Sequence, residues 1–349
     1  MNRFLVVRLG SLGDVVHAIP AVAALRRAHP TATIDWLVDP QYVELVTLVV
    51  GVDRAIGLDP RAGLMPLVAA VRGLRAARYD ASIDLQGLIK SAALARAAGA
   101  QRTIGLPRSH LREPLAAWFY AETPDPGRDP HVIRKGLALV RAVGATDDRI
   151  TFPLNVPLTP AAQTAAAQAG ADGYAILNPG AAWPNKRWPA ERFGALAAAM
   201  RDRLGVTTIV LWGPREESLA ASVVAASRGA ARIAPRTTIT DIASIAKGAR
   251  LIVSGDTGPL HIAAAVGTPA VGLFGPTLSA RNGPWAEADI TLSRYDSCPC
   301  HYERRCRRAT PCIEDISLDD VVAAVERRMV PASLERGADR SSREGGGRA

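Results

Sequence analysis

A chain of 349 residues is longer than a single hydrophobic core usually serves, so two domains of ordinary size are expected. Apolar residues at 48% and charged residues at 21% exclude a disordered chain, and no apolar run is long enough to cross a bilayer. Lys and Arg number 42 against 33 Asp and Glu, a formal charge of +9 that favours anionic partners: nucleotides, phosphorylated substrates, acidic membrane or nucleic acid.

The first elements alternate. Residues 3–9 read as a buried strand, 15–29 as a helix and 33–38 (TIDWLV) as a second strand. Strands at 80–85 and 102–105 follow, with helical patterns near 64–78 and 88–98 between them. Such alternation of short apolar strands and helices predicts parallel sheets covered on both faces. A Pro-rich stretch, FPLNVPLTP at 152–160, precedes a second run of the same kind, with strands at 174–178, 206–212, 250–254 and 270–274. The expected organisation is an N-terminal domain over 1–160, a C-terminal one over 171–332 and a disordered tail at 333–349. The absence of a signal-type cleavage site leads to the expectation of a cytoplasmic protein. The four cysteines share one short segment, which fits a reducing compartment.

Gly10-Ser11-Leu12-Gly13 ends the first strand and is followed by Asp14. The spacing is G-x-x-G rather than the G-x-G-x-x-G of a dinucleotide fingerprint, which argues against a nicotinamide-dependent oxidoreductase. Asp14 is either a helix cap or a general base kept ionised by the helix end, and the two roles are compatible. In NPGAAWPNKRWP, 178–189, small residues allow close backbone approach and Lys186 supplies a charge suited to phosphate; a solvated basic loop is the plainer reading. In SGDTGPLHIAAAVGTP, 254–269, a strand ends, Asp256 stands where sugar hydroxyls could bind, and the amides of Thr257 and Gly258 open a helix that carries His261. The alternative there is a capped helix with an interior histidine. Glu216, in LWGPREES, suits a ribose diol or simply the acidic bias of a helix start. Cys298, Cys300, Cys306 and Cys312, spaced C-x-C-x5-C-x5-C, are candidate metal ligands or free thiols. Nucleic acid is disfavoured, since no basic stripe interleaves with aromatics and aromatic content is 5%.

Five stretches, RLGSLGDVVHAIPAV, IDLQGLIKSAAL, REPLAAWFY, NKRWP and DTGPLHIAA, together resemble the lipopolysaccharide heptosyltransferases. The resemblance implies a GT-B fold, two Rossmann-like doubly wound domains facing a central cleft. It implies an inverting transfer of heptose from ADP-L-glycero-D-manno-heptose to the Kdo region of Kdo2-lipid A, with no cofactor or catalytic metal. The alternative within the family is heptosyltransferase II or another ADP-heptose-dependent transferase with a different acceptor. By the same resemblance Asp14 is the base, and Lys186, Glu216, Asp256, Thr257, Gly258 and His261 hold the donor. Arg8, Gln86, Lys90, Arg112 and Arg61 are expected at the acceptor, and the enzyme is expected to lie peripherally on the inner membrane. Ala181 and Ala182 stand where some relatives carry phosphate-contacting hydroxyls, a departure that leaves backbone contacts to do that work.

Overall fold

The computed structural model describes residues 1–59, 61–128 and 131–329; the tail expected at 333–349 lies outside the described residues. The chain divides into two compact units, one of Met1–Pro157 with Thr238–Ala243 and Ala280–Asn282, the other of Leu158–Thr237, Ser244–Ser279 and the residues from Gly283 on.

In chain order the first run is β1 (Arg3–Val7), α1 (Leu12–Ala28), β2 (Thr33–Val38), α2 (Val43–Thr47), β3 (Arg54–Gly57), α3 (Leu64–Ala76), β4 (Ala81–Asp84), α4 (Ile89–Ala97), β5 (Arg102–Ile104) and α5 (Val132–Arg141). The strands form one parallel sheet in the order β3-β2-β1-β4-β5. Phe4 to Val7 are fully buried because β1 is central and covered on both faces. α1 is buried almost all round from Val15 to Leu25, which is why its sequence is apolar rather than amphipathic.

The second run is α6 (Pro160–Ala169), β6 (Tyr174–Asn178), α7 (Ala190–Leu204), β7 (Thr207–Val210), α8 (Glu217–Ala226), β8 (Ala231–Ile233), α9 (Ile239–Gly248), β9 (Leu251–Gly255), α10 (Gly258–Ala265), β10 (Ala270–Phe274), α11 (Ser279–Asn282), β11 (Ile290–Ser293) and α12 (Leu318–Met329). Its sheet is also parallel, in the order β11-β10-β9-β6-β7-β8. Phe193, Leu196 and Val210 pack with Val321 and Val325 of α12 to build the core on one face.

In each sheet the strand order reverses at one place, between β1 and β4 in the first and between β6 and β9 in the second. The loops leaving neighbouring strands diverge there, opening a crevice beyond the strand ends. Most of the candidate residues sit at these two places. Three strands had no expectation from sequence: β3, β8 and β11 are short, partly exposed, and stand at sheet edges, so they carry no continuous apolar run.

Candidate active site

At the β1/β4 reversal the loop after β1 is tied to the loop after β4. The Arg8 guanidinium donates through Nη1 to the Leu85 carbonyl, and the Leu9 amide donates to Gln86 Oε1 at 2.7 Å. Trp36 Nε1 donates to the Arg8 carbonyl at 3.3 Å. Arg8 is thus held at its backbone and its side chain, and its Nη2 lies 2.6 Å from Asp14 Oδ1. The other carboxylate oxygen, Oδ2, accepts from Ser11 N at 3.1 Å and Ser11 Oγ at 3.0 Å. Ser11 is the N-cap of α1, and Asp14, at the third helical position, completes a capping box by accepting from the Ser11 amide. Burial alone would raise its pKa, but the Arg8 charge and the Ser11 amide outweigh burial and hold the carboxyl below its usual range. The side chain keeps 29% of its exposure, so an ionised oxygen remains within reach of a ligand. Gly10 is required for close approach: a Cβ there would lie 2.7 Å from the Tyr42 ring.

Beside this pair is a cavity of about 300 Å³ whose lining includes Arg8, Gln86, His110, Arg112 and Lys135. Arg8, Gln86 and Arg112 were expected at an acceptor site, and the cavity brings them together. Arg61 and Lys90 are placed elsewhere: Arg61 is exposed and paired with Asp59 at 3.2 Å, and Lys90 lies exposed on the first turn of α4. Arg61 follows β3, away from the cavity, and Lys90, although it follows β4, stands beyond the Leu85–Gly87 stretch that lines it. Lys135 and His110 had no expectation from sequence. Lys135 belongs to α5, whose apolar period Ile133, Leu137, Val140 is a signal that could have placed the helix.

At the β6/β9 reversal the side chains interlock. Asn178 Nδ2 donates to Ser254 Oγ and to Thr257 Oγ1, each at 3.0 Å. Asp256 Oδ2 lies 2.5 Å from Lys186 Nζ and accepts from Thr277 Oγ1 at 2.7 Å. Its Oδ1 lies 3.1 Å from His261 Nε2, which carries the proton in this contact because an ionised carboxylate can only accept. Burial works to raise the Asp256 pKa, and the His261 hydrogen bond and Lys186 ammonium hold it far below the carboxylate range instead. Asp256, expected to face sugar hydroxyls, has both oxygens engaged within the protein. Through them it ties Lys186, His261 and Thr277 together.

Lys186 is held from the other side as well. Trp188, 1% exposed, buries its indole in the core, donates to the Ile316 carbonyl at 2.9 Å and meets Phe193 edge-on at 5.1 Å between centroids. Asn185 Nδ2 donates to the Glu303 carbonyl at 2.8 Å. Gly255 lets the two loops touch, since a Cβ there would be 2.5 Å from the Lys186 carbonyl. Thr257 is the N-cap of α10 without a side-chain cap hydrogen bond, so the first-turn amides from Gly258 on have no acceptor within the helix. Lys186 beside such a helix start is an arrangement suited to phosphate. Glu216 is turned onto its own loop, accepting from Gly213 N at 3.0 Å and facing Arg187 Nη2 at 3.3 Å. Glu216 is the N-cap residue of α8 but makes no side-chain cap hydrogen bond, its carboxylate serving the loop before the helix instead.

The cysteines form two pairs, Cys298 with Cys312 at 2.7 Å and Cys300 with Cys306 at 3.7 Å between sulfurs. Burial and the neighbouring Cys298 push the Cys312 thiol up to about 12, whereas the Arg307 amide draws the Cys300 thiol down. Among the described residues, no three His, Cys, Asp or Glu side chains are grouped so as to hold a metal ion. All four cysteines nonetheless pack against one another in a single cluster.

Two parallel α/β units, each with its candidate residues at the reversal of strand order, define a GT-B-type glycosyltransferase. Residues 67–310 match glycosyltransferase family 9 (heptosyltransferase), and the chain belongs to that family. It is 32% identical over 316 residues to lipopolysaccharide heptosyltransferase 1 of Pseudomonas aeruginosa, covering 85% of this chain and 86% of the relative. It is 24% identical over 334 residues to lipopolysaccharide heptosyltransferase 3 of Escherichia coli K12, covering 90% and 94%. The structure of the E. coli heptosyltransferase WaaC with ADP is similar at a TM-score of 0.74 and 25% identity, covering 93% of this chain and 99% of that one.

Proposed function

We propose that this glycosyltransferase moves heptose from ADP-L-glycero-D-manno-heptose to the Kdo region of Kdo2-lipid A, with inversion, at the cytoplasmic face of the inner membrane. The observation that carries the reading is the ionised Asp14 beside a cavity lined by Arg8, Arg112 and Lys135. A carboxylate-bearing sugar such as Kdo is an anion, and three cations around a base suit an acceptor that must be held by its charge and deprotonated at a hydroxyl.

In the transfer Asp14 takes the proton from the acceptor hydroxyl as that oxygen bonds to the anomeric carbon. The bond from that carbon to the ADP oxygen breaks on the opposite face, and its electron pair leaves with ADP. Lys186 and the start of α10 stabilise the charge that grows on the departing phosphate. Bound phosphate competes with Asp256 for Lys186, and His261 and Thr277 keep Asp256 satisfied when the lysine turns to the donor. The relatives named heptosyltransferase 1 and WaaC with ADP support this donor and this step.

The deciding experiment measures ADP release from ADP-heptose with Kdo2-lipid A and, separately, with the monoheptosylated acceptor. The expected result is turnover with the first and little with the second. Preference for the monoheptosylated acceptor would assign a later transfer, and release with neither would remove the lipopolysaccharide acceptor.

A further inference from the structure

The four cysteines take no part in the transfer, yet the segment that holds them reaches the loop that carries Lys186. Residues 294–311, between β11 and the 3-10 helix Cys312–Asp315, form no helix or strand and contain no Leu, Ile, Val, Met or Phe. A stretch of that length without secondary structure is usually either disordered or functional, and this one is packed. Its core is sulfur: Cys298, Cys300 and Cys312 are buried together, with Cys306 against them. The Cys300 sulfur also accepts from the Arg307 amide at 2.9 Å, which folds the intervening residues back onto the cluster.

The tip of this loop is fastened to the donor side at two backbone groups. The Tyr302 amide donates to the Pro276 carbonyl at 2.9 Å, and Asn185, the residue before Lys186, donates through Nδ2 to the Glu303 carbonyl at 2.8 Å. Gly275 permits the close approach, since a Cβ there would lie 3.2 Å from the Asn185 carbonyl and 3.4 Å from the Cys312 sulfur. The residue after Glu303 is Arg304. Its guanidinium carbon lies 5.8 Å from the centre of the Trp183 ring, and Lys186 Nζ lies 4.6 Å from the centre of that ring.

The arginines of the loop differ in their partners. Arg307 is paired with Glu303, and Arg308 with Asp315. Arg304 and Arg305 are exposed, with no carboxylate partner recorded among the described residues, and of the two it is Arg304 that stands at the indole. Cations over one aromatic ring are each drawn to it but repel one another. Lys186 has a counter-charge in Asp256, whereas Arg304 brings a charge that no recorded carboxylate balances. The diphosphate of a nucleotide sugar carries two negative charges, and a third appears on the nucleoside diphosphate as the sugar leaves. Lys186, already matched by Asp256, does not balance these alone. A guanidinium, always charged and forked towards phosphate oxygens, supplies what is missing.

We propose that Arg304 is a second cation of the donor site: carried by the cysteine-packed loop, it meets the diphosphate of the nucleotide sugar beside Lys186, with the Trp183 indole as the surface on which both cations rest. The proposal rests on the reading of the Lys186 side as the donor site. It also gives the cysteine cluster a place in that reading, as the core that sets Arg304 at Trp183.

The test is titration calorimetry on the full chain with two probes, ADP and inorganic pyrophosphate, in buffer without divalent metal. Arg304→Ala should bind each roughly tenfold more weakly than wild type, the scale of one charge-assisted contact, and with a shallower dependence on salt. Arg304→Lys should recover part of the loss, and Arg304→Glu should deepen it. Because the side chain is exposed, the melting temperature should be the same in all three. Arg305→Ala, which removes a neighbouring exposed arginine, should bind as wild type does. Wild-type affinity in Arg304→Ala overturns the proposal. So does an equal loss in Arg305→Ala, which would reduce the effect to the general field of a basic loop. Loss of ADP binding in Lys186→Met but not in Arg304→Ala would leave the donor reading standing without Arg304. Pyrophosphate binding that follows the expected order in a protein that binds neither ADP nor ADP-heptose would strike the donor reading and leave the pair of cations standing.

Discussion

Asp14, in the first turn of the helix after β1, and Asp256, directly after β9, both follow strands that border a reversal in strand order, yet their surroundings differ. Asp256 is 5% exposed at its side chain and is enclosed by Lys186, His261 and Thr277. Asp14 is 29% exposed and is held by Arg8 on one oxygen and by its own N-terminal turn on the other. Both are kept ionised, by different means and to different ends. A carboxylate enclosed by its partners organises its neighbours and is shielded from a substrate's proton. A carboxylate with partners on both oxygens that still keeps part of its surface open can be reached as well as held. Both stand near a reversal in strand order, and they differ in enclosure, which leaves Asp14 the more accessible of the two.

The strongest way to break this comparison is to remove the charge of Asp14 while leaving its shape. Asp14→Asn still completes the capping box of α1, so the variant should fold and bind ADP as wild type does. Turnover should fall roughly 100-fold or more, the scale of a missing general base. A well-folded Asp14→Asn enzyme with near wild-type turnover would reduce the carboxylate to a cap.

Asp256→Ala attacks the other side. It leaves a half-buried Lys186 ammonium without its counter-charge, and losing one partner of a buried pair costs about 3–5 kcal/mol of stability. The melting temperature, followed by circular dichroism, should drop by several degrees, and by more than in Asp14→Asn, which also removes the counter-charge of Arg8 but keeps an oxygen for the Ser11 amide. The pH dependence has a definite sign. The Asp256 pKa is lowered by folding, so its contribution is complete above the unfolded value and fades as pH falls through the folded one. The variant should therefore lose part of the acid-side decline in stability that wild type shows. Equal melting temperatures for wild type and Asp256→Ala would contradict the organising role.

Much of this contrast lay beyond what a one-dimensional pattern holds. The buried central strands β1, β2, β4, β6, β9 and β10 announce themselves as apolar runs, and edge strands β3, β8 and β11 do not. Asp14 could be assigned from its spacing both to a cap and to a base, and the structure shows the capping box directly because Ser11 is three residues away. Lys186 and Asp256 were each legible as donor-side residues, but their pairing joins positions 70 residues apart, which no local motif encodes. His110 and Lys135 meet Arg8 only through the packing of α5 and the 108–110 turn around the cavity.

Lys186→Met sharpens the donor half of the comparison. The ammonium is the group that phosphate and Asp256 share, so its loss should weaken ADP binding by about 1.5–3 kcal/mol, a typical figure for a charge-assisted contact. Titration calorimetry with ADP reads this directly. Wild-type affinity in a folded Lys186→Met protein would take the lysine out of the donor site.

The smallest effect is expected from Arg8→Gln, and it tests how the open aspartate is tuned. Arg8 lowers the Asp14 pKa against a burial that acts to raise it, so the wild-type acid limb of kcat should lie below the usual Asp value of 3.8. With glutamine in its place burial is opposed only by Ser11 and more distant charge, and the acid limb should move to higher pH. The direction follows from the sign: the ionised base is the active form, and raising its pKa protonates it at a pH where wild type is still charged. At neutral pH most of kcat should survive, because Asp14 stays ionised there, while KM for an anionic acceptor rises by roughly tenfold through the loss of one cation of the cavity. The two readouts separate two duties of one guanidinium. A KM change without movement of the acid limb would leave Arg8 as an acceptor ligand alone, and movement of the limb without a KM change would confine it to Asp14.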